Sequence, residues 1–253
     1  MMKSRSIILV LGLLFVFSIN SNAMAQEIKM AVGLALPPYI ISEDNSGMEF
    51  EIARDALADG GYEMKPAYMP FARVPMALND KEVDGALTVL EASGLKNVYY
   101  SDPYITYQNV AVALEDKNFS INSIGDLSDK KIVAFQNARK YLGDKYAQAA
   151  VSSPEYEEKA QQEKQITRLF MDRTDVIVIE ANIFKYYRNK VAQKYDKDRV
   201  DTDLEVDVFE IFPSTDYKAA FLKREIRNDF NDGIEKLKQS GKYDAIIQKY
   251  VSE

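Results

Sequence analysis

The chain has 253 residues with 32 Lys and Arg against 39 Asp and Glu, a net charge of −7, and neither cysteine nor histidine. That composition excludes disulfides, thiolate nucleophiles, zinc sites of the usual ligand types and imidazole acid–base chemistry. An acidic surface repels phosphate backbones and anionic membranes, and no run of Lys and Arg opposes that field locally, so nucleic acid is not an expected partner.

Residues 1–25 have the three parts of a secretory signal. Lys3 and Arg5 form a positive start, Ile7 to Ile19 an apolar stretch, and Ala23-Met24-Ala25 a small-residue cleavage site. The apolar stretch is shorter than the ~20 residues a membrane span needs. The expected mature chain, Gln26 to Glu253, lacks cysteine yet is long enough to bury a core unaided, which points to a bacterial periplasm.

Next comes EIKMAVGLAL, an alternating then apolar run that reads as a buried strand ending at Pro37-Pro38. In MEFEIARDALADGG, the residues Phe50, Ile52, Ala53, Ala56 and Leu57 recur at helical spacing, and Gly60-Gly61 stops the helix. A strand over Tyr62 to Tyr68, a short helix over Ala72 to Asp80 and a strand over Gly85 to Leu90 complete a βαβαβ pattern, hence a parallel sheet with covering helices.

A second unit follows. Ile124 to Leu127 reads as a helical turn, KKIVAF as a strand, and ARKYLGDKYAQAA as a helix that Asn137 would cap. Ala160 to Asp172 is a helix, DVIVIE an apolar strand closed by a carboxylate, and ANIFKYYRNKVAQKY a helix. Two extended segments, Gln108 to Leu114 and Leu204 to Phe212, read as crossings between the units. Residues 224–251 give two helices around Gly241 that return to one of the sheets. DTDLEVDVFE lacks the central Gly and terminal Glu of a calcium loop and reads as a solvated charge run.

In order along the chain, GLALPPYI, GMEFEIARDAL, KEVDGALTV, YYSDPY, LSDKKIVAFQNA, RTDVIVIE and GIEKLKQSGKYDAIIQKY resemble segments of the bacterial family 3 extracellular solute-binding proteins. The resemblance covers nearly all of the chain after the signal. It implies an α/β fold of type II periplasmic binding proteins: two lobes, each a mostly parallel sheet with flanking helices, joined by two hinge strands. On that basis residues 26–112 and 216–253 form the first lobe and residues 113–215 the second. Such a protein captures a small polar ligand, an amino acid or a related anion or zwitterion, as the lobes close. The implied partner is an inner-membrane ABC permease or, equally, a signalling receptor; the protein is expected as a periplasmic monomer with no cofactor. An enzyme of the cyclohexadienyl dehydratase type on the same fold is the alternative from another class, with Glu180 as the available acid.

The resemblance also nominates site residues. Tyr39 matches the ring that covers the ligand, Phe71 a second wall or else core, and Thr88 a position offering a hydroxyl and backbone groups. Glu180 matches the carboxylate that meets the ligand ammonium, although a glutamate at a helix start is favourable in any protein. Asn137, Ala138 and Arg139 line a strand-to-helix turn whose N–H groups would meet a carboxylate; for Arg139 a solvated role is the alternative. Tyr99 and Tyr100 of the SDPY-like turn would pack the hinge.

One departure stands out. Relatives that bind α-amino acids carry an arginine six residues before the aromatic of the SDPY-like turn, and this chain has Gly94 there, or Lys96 when counted from Asp84. Lysine cannot fork onto a carboxylate. Arg73, in MPFARVPMAL, is the expected replacement.

Overall fold

The computed structural model describes residues 25–252; the signal-like segment up to Met24 lies outside them. Its first strand, β1 (Gln26–Gly33), buries Ile28, Met30, Ala31 and Val32 completely. Helix α1 (Met48–Asp59) follows, then β2 (Tyr62–Met69), a 3-10 turn at Phe71–Arg73, α2 (Val74–Asn79) and β3 (Gly85–Val89). Both β2 and β3 lie parallel to β1, with Ile28 beside Met64 and Met30 beside Gly85, as the βαβαβ pattern predicts. Burying a core side chain of the size of Ile28 or Leu57 contributes about 1.5–3 kcal/mol, and the two faces of this sheet are closed by separate apolar clusters.

The turn SDPY separates β4 (Tyr99–Tyr100) from β5 (Ile105–Tyr107), and the chain then crosses to a second sheet as β6 (Asn109–Leu114). There follow β7 (Ile132–Phe135), α3 (Ala138–Tyr141), α4 (Gly143–Ser152), β8 (Tyr156–Lys159), α5 (Glu163–Phe170), β9 (Val176–Glu180), α6 (Ala181–Lys194) and β10 (Val206–Phe209). The return crossing leads into β11 (Thr215–Phe221), α7 (Arg224–Gln239) and α8 (Lys242–Val251).

Two sheets result. The first runs β2-β1-β3-β11-β4, with β5 also on β11; the second runs β10-β6-β9-β7-β8. Each has a parallel centre, and the strands entering or leaving by the crossings pair antiparallel. The crossings lie side by side, because β5 pairs β11 in one sheet while β6 pairs β10 in the other. Gln108 joins them: its Nε2 donates to the Phe212 carbonyl at 2.9 Å.

Several local expectations change. The chain changes sheets at Gln108, and Asn109 and Val110 already pair with Glu180 and Ile179, so residues 109–112 stand with the second sheet rather than the first. The helix expected over Ala138 to Ala150 breaks after Leu142, because Gly143 takes a φ of 81°. Asn137 makes no side-chain cap and itself sits at a φ of 64°. Strand β8, YEEK, gave no periodic signal because all four of its side chains are half-buried at the edge of the sheet.

Candidate functional site

The C-terminal ends of the parallel strands of both sheets carry the nominated residues, as open α/β sheets place ligand groups. Tyr39 lies on the loop between β1 and α1. That loop folds onto the start of α1, where Met48 N–H donates to the Pro38 carbonyl at 2.8 Å and Glu49 N–H to the Tyr39 carbonyl at 3.1 Å. The approach requires Gly47, with a φ of 113°, because a Cβ there would lie 2.3 Å from the Tyr39 oxygen. Tyr39 is thereby fixed and fully buried, its ring 4.0 Å from that of Tyr107 on β5, and its hydroxyl accepts from the Asn182 amide of α6 at 3.1 Å. This bond joins the first lobe to the second. Burial, and then the negative charge of Glu180, hold the Tyr39 phenol well above its ordinary range.

Glu180 ends β9 and caps α6. Its Oε2 accepts from Asn182 N–H at 2.8 Å and Ile183 N–H at 2.9 Å, and its Oε1 from Gln108 N–H at 3.3 Å. Burial raises its carboxyl above the usual range, and these N–H donors together with the Tyr39 hydroxyl oppose that rise.

Thr88 is brought in by an irregularity in β3. The register against β11 shifts between Lys218 and Ala220, and Thr88 takes a φ of 54°, a conformation that a β-branched residue rarely adopts. Its N–H donates to the Tyr104 hydroxyl at 3.2 Å and its Oγ1 to Glu49 Oε1 at 2.5 Å. Hydrogen bonds at both ends offset the backbone strain.

Glu49 is the residue that sequence reasoning missed. It sits in the first turn of α1, fully buried, and accepts from Thr88 Oγ1, from the Tyr104 hydroxyl, and from the Tyr107 hydroxyl at 2.7 Å. Burial raises its carboxyl and the three hydroxyls oppose the rise. The sequence carried little signal for it: Glu49 and Glu51 both stand in the first turn of the helix, where an acid is favourable in any protein. Tyr104, the third tyrosine of YYSDPY, is therefore a ligand of a buried carboxylate, while Tyr99 stays exposed and Tyr100 half-buried.

The other nominated residues stand apart from this cluster. Phe71 is half-exposed beside Gly33, Arg73 pairs with Glu82 at 2.9 Å and 3.0 Å on the same lobe, and Lys96 is exposed in its loop. In this arrangement the Arg73 guanidinium is engaged by Glu82. In the second lobe, the N–H groups of Asn137 and Arg139 meet a carboxylate of the chain itself, Glu158, at 2.7 Å and 3.3 Å, and Ala138 is buried. The arrangement thus sets two buried carboxylates, Glu49 and Glu180, on either side of the rings of Tyr39 and Tyr107, which pack at a tilt of 32°. The groups acting on those carboxylates are hydroxyls and N–H groups, none of them cationic.

The model of the bacterial extracellular solute-binding proteins, family 3, matches residues 28–253. The chain belongs to this family. Among curated relatives, the arginine-binding extracellular protein ArtP of Bacillus subtilis (strain 168) is 26% identical over 252 residues, covering 92% of this chain and 90% of ArtP. Among solved structures, the GluR0 ligand-binding core in complex with L-glutamate superposes with a TM-score of 0.64 at 15% identity, covering 91% of this chain and 100% of that one. An ancestral cationic amino acid solute-binding protein gives 0.67 at 21%, covering 89% and 96%. At these identities the structures establish the fold: this family 3 protein is a two-lobe type II periplasmic binding protein. Among its described residues no helix is long and apolar enough to cross a membrane.

Proposed function

We propose that this family 3 protein captures a small organic cation between its lobes and presents it to an inner-membrane importer. One observation carries the reading: among the described residues Glu49 and Glu180 are buried on opposite lobes without a cationic partner, while Arg73 and Arg139 are each paired with a glutamate of their own lobe. A carboxyl taken out of water either keeps a proton or, to ionise, needs a counter-charge. When the lobes part, a cation entering beside Tyr39 supplies it to Glu180 directly and to Glu49 through the field, and the rings of Tyr39 and Tyr107, packed together in this arrangement, become a surface that attracts it. That the relative ArtP is an arginine-binding protein supports the same class.

Closure follows from the placement of these groups. A ligand touching Glu180 on one lobe and Tyr39 on the other favours the closed arrangement by its differential affinity for it. Delivery to an ABC importer is the family's usual outcome; docking onto a signalling receptor would use the same closed pair of lobes. A dehydratase of the cyclohexadienyl type would use the same carboxylate as its acid, and turnover of a cyclohexadienyl acid separates it from binding.

The test is thermal unfolding of the refolded, ligand-stripped protein with arginine, lysine, agmatine, putrescine, glutamate and a cyclohexadienyl acid. A ligand at ~100 times its dissociation constant stabilises by roughly 2.7 kcal/mol, a readily measured shift. Shifts with the cations alone support the reading; a shift with glutamate alone overturns it.

A further inference from the structure

We propose that Glu158 is a built-in carboxylate that sets the specificity of the site, excluding solutes that bear a carboxylate and admitting cations that lack one. The proposal rests on the cation reading above and names the subclass of cation.

The placement comes from the sheet. In β8, Glu158 stands beside Ala134 of β7, and Ala134 stands beside Val178 of β9, all in parallel register. The loop that leaves β7 at Gln136 and Asn137 therefore lies next to the end of β9, where Glu180 is. Glu158 turns onto that loop and takes up its donors. Oε2 accepts from Asn137 N–H at 2.7 Å; Oε1 accepts from Arg139 N–H at 3.3 Å and from the Tyr156 hydroxyl at 2.8 Å. The Arg139 guanidinium is 3.6 Å from Oε1 and lies over the Tyr156 ring at 5.1 Å, so the Arg139 charge at this loop edge is already balanced.

These bonds make Glu158 hard to displace. Burial disfavours its charge, but the Tyr156 hydroxyl, the two N–H groups and Arg139 outweigh that and hold its carboxyl below the usual range. A solute carboxylate arriving at this edge meets two carboxylates, Glu158 and Glu180, and donors that are already engaged. In the first lobe Arg73 is held by Glu82 and Lys218 by Glu91 at 2.6 Å, which leaves Lys96, a point charge exposed in its loop. Repulsion of one ligand class is a specificity device in its own right. An amine or guanidinium without a carboxylate needs none of the donors that Glu158 occupies.

Isothermal titration with two matched pairs, agmatine against arginine and cadaverine against lysine, isolates the carboxylate. The wild type should bind agmatine and cadaverine at least tenfold more tightly than their amino-acid counterparts. In Glu158→Gln the ratio should fall several-fold, through better binding of arginine and lysine, whereas Glu157→Gln, whose side chain pairs with Lys159 and Arg168, should leave it unchanged. If the Glu158→Gln protein folds poorly, Tyr156→Phe, which removes one of the donors that hold Glu158, should shift the ratio in the same direction. Equal binding of arginine and agmatine, or a ratio that Glu158→Gln does not move, overturns the proposal while the cation reading stands. Failure of all four cations to bind overturns both.

Discussion

The Tyr39 hydroxyl, on the first lobe, accepts a hydrogen bond from the Asn182 amide, in the first turn of a helix of the second lobe, across 143 residues of sequence. Glu180 fixes that helix by capping it and also faces the same hydroxyl. Lobe closure, helix capping and the charge of the site therefore meet at one phenol. Removing the hydroxyl in Tyr39→Phe should cost about 0.5–1.5 kcal/mol and weaken the closed arrangement. Small-angle scattering of the unliganded variant should show a larger radius of gyration than the wild type; an unchanged radius with unchanged affinity would deny the contact any part in closure.

Glu180 has two separable roles, and two substitutions divide them. Glu180→Gln keeps an acceptor for the Asn182 and Ile183 N–H groups but removes the charge, so cation affinity should fall more than tenfold with a small change in Tm. Glu180→Ala loses both, with a further cost of about 1 kcal/mol for the cap. Calorimetric titration beside thermal unfolding reads the two effects separately. Equal affinities for Glu180→Gln and wild type would show that the charge is not used.

The buried Glu49 predicts a pH dependence with a definite sign. Its carboxyl is raised in the folded state, so the folded chain binds more protons than the unfolded chain between the ordinary and the raised value. Its contribution to stability is favourable below the ordinary glutamate range and is lost as pH rises through the folded value. The stability of wild type relative to Glu49→Gln should therefore decline as pH increases across that window, and cation binding, which favours the ionised form, should strengthen over the same range. Denaturant unfolding of both proteins at several pH values checks the slope, and a flat difference would remove Glu49 from the account.

Thr88 offers a contrast between strain and hydrogen bonding. Thr88→Ser keeps the hydroxyl and should cost little, whereas Thr88→Val keeps the strained β-branched shape and leaves Glu49 without one donor, a loss of about 1–3 kcal/mol. Chemical unfolding ranks the two; equal stabilities would mean that the hydroxyl contributes nothing.

Gly233 sits in the middle of α7, where alanine would ordinarily raise helix propensity. Its added Cβ, however, would stand 2.3 Å from the Ala56 carbonyl oxygen of α1. Gly233→Ala should therefore lower stability by about 1–3 kcal/mol instead of raising it. A higher Tm would show that the two helices separate readily.

Arg73 gives the opposite expectation from the one its position in the chain suggested. Half-exposed and paired with Glu82, it should tolerate Arg73→Ala with stability within about 1 kcal/mol and with unchanged ligand affinity. A large loss of affinity would mean that Arg73 leaves Glu82 when ligand binds.

The sequence by itself determined the two α/β units and their flanking helices, because apolar period and turn residues act locally: MAVG and VIVIE are buried strands wherever they pack, although the first stops at Gly33 rather than at Pro37-Pro38, and Phe50 to Leu57 present one apolar face. It also placed Tyr39 and Glu180 at strand ends, where lobes of this kind meet. What only the tertiary structure decided is which charges are already satisfied. Arg73 finds Glu82 nine residues on, Asn137 and Arg139 find Glu158 from a strand without periodic signal, and Glu49 finds Thr88, Tyr104 and Tyr107, 39 to 58 residues away. A carboxylate or guanidinium has the same composition whether paired or free. Its electrostatic role is set by which groups lie within a few ångströms and by how much water remains, and both are products of packing rather than of chain order.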